Sequence, residues 1–378
     1  MVSARRAVVL VGMVFGLALL GGGTLVVAQE QAESQPAGDF NELFAQWKAV
    51  LADLVQYQDE YRAAEPEQLP PIREKYNARL EEGKKLFPAM RDAGLVKLKE
   101  APNENEDVVT FLLQYSAEAV QHDNYEDAYE ILNTMQQEGV KHPAVEPLLV
   151  RAAFGSDHYK VAADLFDELI KRPNAQEIIT EEVAMAGTVA KQTLPLWEKE
   201  QEIRAKEAEA DDLPRVRIET SQGTVVVELY ENQAPGAVGN FVSLVEDKFY
   251  DGLTFHRVIE GFMAQGGCPK GDGTGGPGYQ IYCETQKPDH RKHFRGTLSM
   301  AHAGRDTGGS QFFLTFLATP HLDGQHTAFG RVIEGHEVLG KLQRRDPQAA
   351  GAPRPDKIIK AEVIRKRDHE YKPNKSRG

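Results

Sequence analysis

The sequence predicts a multidomain chain: an all-α N-terminal region of helical repeats, then a C-terminal closed β-barrel capped by helices. Three observations predict it. The spacing of apolar residues changes from period 3.6 to period 2 at Pro214. An interval of 34 residues recurs inside the helical part. Short strands bounded by glycine turns crowd the part after Pro214, as in small antiparallel barrels. A length of 378 residues is comfortable for two domains.

Charge divides the chain in the same way. The net charge is −13, yet residues 29–213 carry 19 Lys/Arg against 38 Asp/Glu, while residues 214–378 carry 23 against 19. An acidic half and a near-neutral, slightly basic half are thus joined. The acidic excess argues against nucleic acid as a partner, since cations are needed to displace phosphate counterions.

Residues 1–28 have the form of a targeting segment. Arg5 and Arg6 precede the apolar run Ala7–Leu20, Gly21–Gly23 break it, and Val26-Val27-Ala28 offer a cleavage site. The reading is a signal peptide, or an uncleaved membrane anchor if the run stays attached. Either implies an exported, periplasmic or extracytoplasmic protein. A membrane is a partner only if the segment is uncleaved.

A linker over residues 29–38 leads into the helical region, residues 39–191. Asp39 is placed to cap a helix with Phe40, Phe44, Trp47, Leu51 and Leu54 along one stripe. Pro66, Pro70 and Pro71 interrupt it, and a second helix over Ile72–Phe87 is expected to stop at Pro88. From Glu106 a repeat begins: Tyr125 and Tyr159, Ala128 and Ala162, and Leu132 and Phe166 each stand 34 residues apart. That period resembles a tetratricopeptide array, which would make the region a docking surface for a protein partner. A plain helical spacer is the alternative. Asn174–Lys191 is expected to add a packing helix, residues 192–213 to form a charged helical linker, and residues 366–378 to be a solvated basic tail.

The strands begin with VRIET, a Ser221-Gln222-Gly223 turn and TVVVELY, and Pro235 opens a helix. The informative stretch is LTFHRVIEGFMAQGG, Leu253–Gly267. It brings an arginine, an apolar pair and an amide to neighbouring strand positions: Arg257, Phe262 with Met263, and Gln265. Downstream stand GTGG, LSMA, SQFF and LDGQHTAFGRV. In this order and spacing the motifs resemble the cyclophilin-type peptidyl-prolyl isomerases over residues 214–365, about two-fifths of the chain.

The resemblance implies a barrel that catalyses rotation about Xaa–Pro bonds of proline-containing polypeptides, assisting the folding of exported proteins, with no cofactor and no metal. It implies Arg257, Phe262 and Gln265 as catalytic residues. Met263, Gly273, Ala301, His302, Gln311, Phe313, His321, Leu322 and His326 would bind substrate. Two positions depart from the family pattern. His321 stands where tryptophan is usual, which implies weaker binding of cyclosporin-type peptides, and His302 replaces the usual asparagine. Cys268 and Cys283 could form a disulfide in an oxidising compartment or remain free thiols. A non-catalytic, proline-peptide-binding chaperone or scaffold is the competing reading.

Overall fold

The computed structural model describes residues 38–349 and 351–376. The expected targeting segment, residues 1–28, and all of the expected linker except Gly38 lie outside the described residues. No described helix is long and apolar enough to cross a membrane. The chain divides into two units: one holds the described residues up to Ala119 and Asp127–Leu148, the other Val120–Glu126 and everything from Leu149 onward.

The first unit is helical. α1 (Phe40–Ala63) starts at Asp39, whose carboxylate accepts the N–H of Asn41. α2 (Leu69–Lys84) and α3 (Phe87–Glu100) follow, and here the prolines act differently from expectation. Pro70, Pro71 and Pro88 sit in the first turns of these helices, where a missing N–H costs nothing, so they start helices instead of ending one. Trp47 is fully buried, edge-on to Phe87 at 4.8 Å. Gly83 lets α2 approach closely: a Cβ there would lie 2.6 Å from the Trp47 ring. α4 (Glu106–Gln121) contributes Tyr115, whose hydroxyl donates to Asp127 at 3.0 Å, and Asp127 also pairs with Arg91.

The 34-residue interval has a concrete structural form. α5 (Tyr125–Gln137) and α7 (Tyr159–Leu169), with α6 (Val145–Gly155) between them, begin at the two repeated tyrosines. Two residues before each stands an aspartate in the left-handed region, Asp123 at φ 60° and Asp157 at φ 63°. Each aspartate accepts the hydroxyl of the following tyrosine, at 2.8 Å and 2.5 Å.

In the second unit, a short α8 (Ala175–Ile178) precedes α9 (Glu181–Ala210), a single 30-residue helix that carries Pro195 inside it. The expected break between a packing helix and a charged connector is therefore absent. The charges of its second half have partners on the barrel. Glu200 accepts from Arg291 at 2.5 and 3.0 Å, and Glu207 pairs with both Arg291 and Arg331. Arg331 continues to Glu228 at 2.7 Å. Beside these ions Trp197 packs on Phe294 at 4.9 Å, with Tyr159 against both rings.

The barrel consists of β1 (Arg215–Thr220), β2 (Gly223–Leu229), α10 (Pro235–Glu246), β3 (Arg257–Ile259), β4 (Met263–Gly266), β5 (Thr297–Met300), β6 (Phe312–Thr315), β7 (Ala328–Glu334), α11 (His336–Lys341) and β8 (Ile358–Arg365). The eight strands form one sheet in the order β3-β4-β6-β5-β7-β2-β1-β8, antiparallel throughout. The sheet curls shut, since Thr254, just before β3, bridges Lys357 at the entry to β8. Phe241 of α10, Tyr250, Phe312 and Phe329 fill the interior at ring spacings of 5.1–5.6 Å.

Candidate active site

Strand register assembles the site. Arg257 on β3 stands opposite Gln265 on β4, and Gln265 stands opposite Phe313 on β6. Their neighbours Val258, Ala264 and Leu314 point inward and are buried in the core, so alternation sends this row to the outer face. One register step away Met263 lies between Ile259 and Thr315. The tight turn between β3 and β4 puts Gly261 at φ +62° and delivers Phe262 beside the row.

These residues line a groove of about 1130 Å³. Arg257, Phe262, Met263, Gln265, Gly273, Ala301, His302, Gln311, Phe313, Leu322 and His326 all face it, so the structure brings together nearly every residue expected from sequence. His321 is the departure: it is exposed at the rim, stacked on Phe262 at 5.7 Å, and does not line the groove. Arg257 is half-buried and makes no ion pair with any described carboxylate. Met263 and Phe313 are buried and give the groove a dry floor.

A chain of amides ties the row to the glycine-rich loop. Gln265 Nε2 donates to Gln311 Oε1 at 3.0 Å, and Gln311 Nε2 donates to the carbonyls of Gly273 and Gly275 at 2.8 and 2.9 Å. Cys268 fixes the same loop from beneath, its sulfur accepting the N–H of Gly275 at 3.2 Å. Burial pushes that thiol up, but the surrounding backbone N–H groups outweigh it and bring it below the usual range. The Cys268–Cys283 bridge left open by the sequence is not made. Each thiol has its own backbone donor instead, Cys283 accepting from Asp306 N–H at 3.2 Å.

The opposite wall is built of imidazoles. His302 accepts the N–H of Gly304 at Nδ1, so its Nε2 carries the proton donated to the Gln325 carbonyl at 3.0 Å. His302 stacks on His326 at 4.1 Å, and His326 meets Phe313 edge-on at 5.5 Å. His326 donates from Nδ1 to the Met300 carbonyl, and burial holds it below the ordinary histidine range. Beneath Phe313 lies His293, stacked on it at 6.0 Å and held by Asp323 and Ser299 at 2.8 Å each. Sequence reasoning passed over His293, because KHFRG carries no motif of its own.

The solvated basic tail expected over residues 366–378 is corrected by its described residues. The tail is not free in solvent: Tyr371 is buried with its hydroxyl on Glu231, and Ser376 N–H donates to the Gln280 carbonyl at 2.8 Å. Lys375 and Ser376 line the groove. Among the described residues no group of His, Cys, Asp or Glu is arranged to hold a metal.

A curled antiparallel sheet with a guanidinium free of any described carboxylate, set beside buried Met263 and Phe313 and fixed amides, has the layout of a peptide-binding groove. The cyclophilin type peptidyl-prolyl cis-trans isomerase family model matches residues 215–363. A peptidyl-prolyl cis-trans isomerase of Helicobacter pylori is 55% identical over 143 residues, covering 37% of this chain and 87% of that protein. One from Synechococcus elongatus is 61% identical over 131 residues, covering 34% and 88%. Peptidyl-prolyl cis-trans isomerase B of Bacillus subtilis is 59% identical over 119 residues, covering 32% and 82%. A solved cyclophilin type isomerase from Cryptosporidium parvum is 35% identical, with a TM-score of 0.37, covering 40% of this chain and 97% of its own. The chain belongs to the cyclophilin-type peptidyl-prolyl cis-trans isomerase family.

Proposed function

We propose that the groove isomerises Xaa–Pro bonds with Arg257 as the catalytic guanidinium. The carrying observation is that Arg257 is uncommitted to any described carboxylate while standing in one strand row with Gln265 and Phe313. Peptide-bond rotation faces a barrier of about 18–20 kcal/mol set by amide resonance. In the twisted state the prolyl nitrogen becomes pyramidal and its lone pair localises. A hydrogen bond from Arg257 to that nitrogen exists only there, so it accelerates the reaction instead of merely tightening binding. One charge-assisted bond supplies about 1.5–3 kcal/mol. The rest falls to Phe262, Met263, Phe313 and Leu322, which would hold the ring, and to Gln265 and the backbone of Ala301 and His302, which would hold the flanking amides. An isomerisation assay on a proline peptide tests this. Acceleration over the uncatalysed rate is expected, whereas peptide binding with no acceleration would leave only the scaffold reading.

The clients we propose are exported polypeptides. This rests on the form of residues 1–28 and is tested by fractionation of cells producing the full chain. The 34-residue repeat supports a tetratricopeptide-like surface that docks a protein partner, tested by capture of a partner on residues of that region and its loss on substitution there.

A further inference from the structure

We infer that the C-terminal segment is part of the substrate site and that it selects proline peptides carrying acidic residues beside the Xaa–Pro bond. This rests on the groove being where the peptide lies. Residues 374–376 run antiparallel to residues 280–282 and pair with them through an isolated bridge. Tyr282 N–H donates to the Asn374 carbonyl at 3.2 Å, Lys375 bridges Ile281, and Ser376 closes the pairing. Ile281 bridges Gly308 on its other side, so the segment is anchored to a wall of the groove and not draped over it. Further back it is held by buried Tyr371 and by the Lys372 carbonyl, which packs over Gly239 so closely that a Cβ there would lie 2.5 Å from it.

That placement fixes a charge. Lys375 Nζ rests 4.3 Å from the centroid of the Tyr279 ring, a cation–π contact that leaves its ammonium at the groove. Lys270 lines the same groove, as does Arg257. Among the described residues lining it there is no aspartate or glutamate. Two acids outside the lining are engaged in local hydrogen bonds: Asp306 accepts from Cys283 N–H, and Asp272 accepts from Thr274 and Cys268. A chain of net charge −13 therefore presents a cationic cleft at its site. Low-dielectric walls concentrate the field of such a cleft and favour anionic ligands.

The test measures, by fluorescence anisotropy, the affinity of the full chain for three labelled proline peptides that differ only in a Glu, Ala or Lys near the Xaa–Pro bond. Isomerisation of each is measured in parallel. The expected result is affinity for the Glu peptide about tenfold above that for the Lys peptide near 0.01 M salt, shrinking severalfold near 0.15 M as screening sets in. Lys375→Glu should collapse or invert the order, and Lys375→Arg should keep it. Equal affinities, or a preference that Lys375→Glu leaves untouched, would overturn the inference. Failure of all three peptides to be isomerised would overturn the catalytic reading alone, since the affinity order is read without it.

Discussion

The carboxylate of Asp123 accepts the backbone N–H of Gly261 at 3.0 and 3.3 Å. Gly261 makes the turn between β3 and β4, so an aspartate from the helical sequence holds the hairpin that carries Arg257 at one end and Phe262 at the other. Arg344 donates to the same carboxylate at 2.6 Å and Tyr125 at 2.8 Å, which makes it a buried three-way clamp. Burial pushes its carboxyl above the usual carboxylate range, making it a weaker acid, and Arg344, Tyr125 and Gly261 oppose the shift.

Asp123 is therefore a positioning residue for the groove. Asp123→Ala should lower kcat/KM about tenfold, mostly through KM, as Phe262 loses its fixed approach. It should also speed hydrogen exchange at the Gly261 amide. Asp123→Asn keeps an acceptor for that amide and should recover part of the loss. Equal kinetics for all three proteins would remove the positioning role.

Gln311 works through both of its amide hydrogens, which hold the carbonyls of Gly273 and Gly275, while its oxygen takes Gln265. Gln311→Glu keeps the size and the acceptor but removes both donors and sets an anion against two carbonyls. It should cost about tenfold in kcat/KM. A near-normal value, measured with a neutral peptide, would mean that the loop is held by Cys268 alone.

Glu207 sits buried between Arg291 and Arg331. Removing Glu207 leaves Arg291 with Glu200 and Arg331 with Glu228, so the buried network is short of one carboxylate; breaking a buried pair costs about 3–5 kcal/mol. Glu207→Ala should lower the unfolding free energy of the barrel by that order in chemical denaturation. A loss under about 1 kcal/mol, the range of surface pairs, would show the junction to be solvated.

Two half-buried groups should shape stability against pH in opposite directions. Asp157 is pushed up to about 6 by burial, against the donation from Tyr159. The folded state then binds the extra proton, so its contribution is present below about 4 and lost as pH rises through about 6. His336 is held down to about 3 by burial and by Arg295, so its contribution is present above about 6.5 and lost as pH falls toward 3. Asp157→Asn should steepen the fall in stability on acidification between pH 6 and 4, and His336→Gln should flatten it. Denaturation midpoints across that range check both signs.

Much of the site was legible because its residues occupy a few contiguous stretches and strand alternation sorts them onto one face. Arg257 and Gln265 needed only a hairpin to meet. Gly273 of the glycine-rich loop lines the groove, and Asp39 caps its helix as its place before Phe40 suggests. What escaped is long-range or ambiguous. Asp123 and Gly261 stand 138 residues apart, and no local pattern links them. Lys375 reads as one more charge in RKRDHEYKPNKSRG until backbone pairing places it against Ile281. The acidic second half of α9 reads as a charged helical linker because its counterions lie on β7 and on the segment before β5. Proline misled locally: Pro88 opens a helix and Pro195 is carried within one, and the sequence signal for stopping is the same.

The most direct test of the central claim compares wild type with Arg257→Ala, measuring both the isomerisation rate constant and the ground-state affinity for the same neutral proline peptide. If Arg257 acts only on the twisted state, the rate falls about tenfold to a hundredfold while the affinity changes less than about twofold. Unchanged rates, or rate and affinity falling together, would contradict the account.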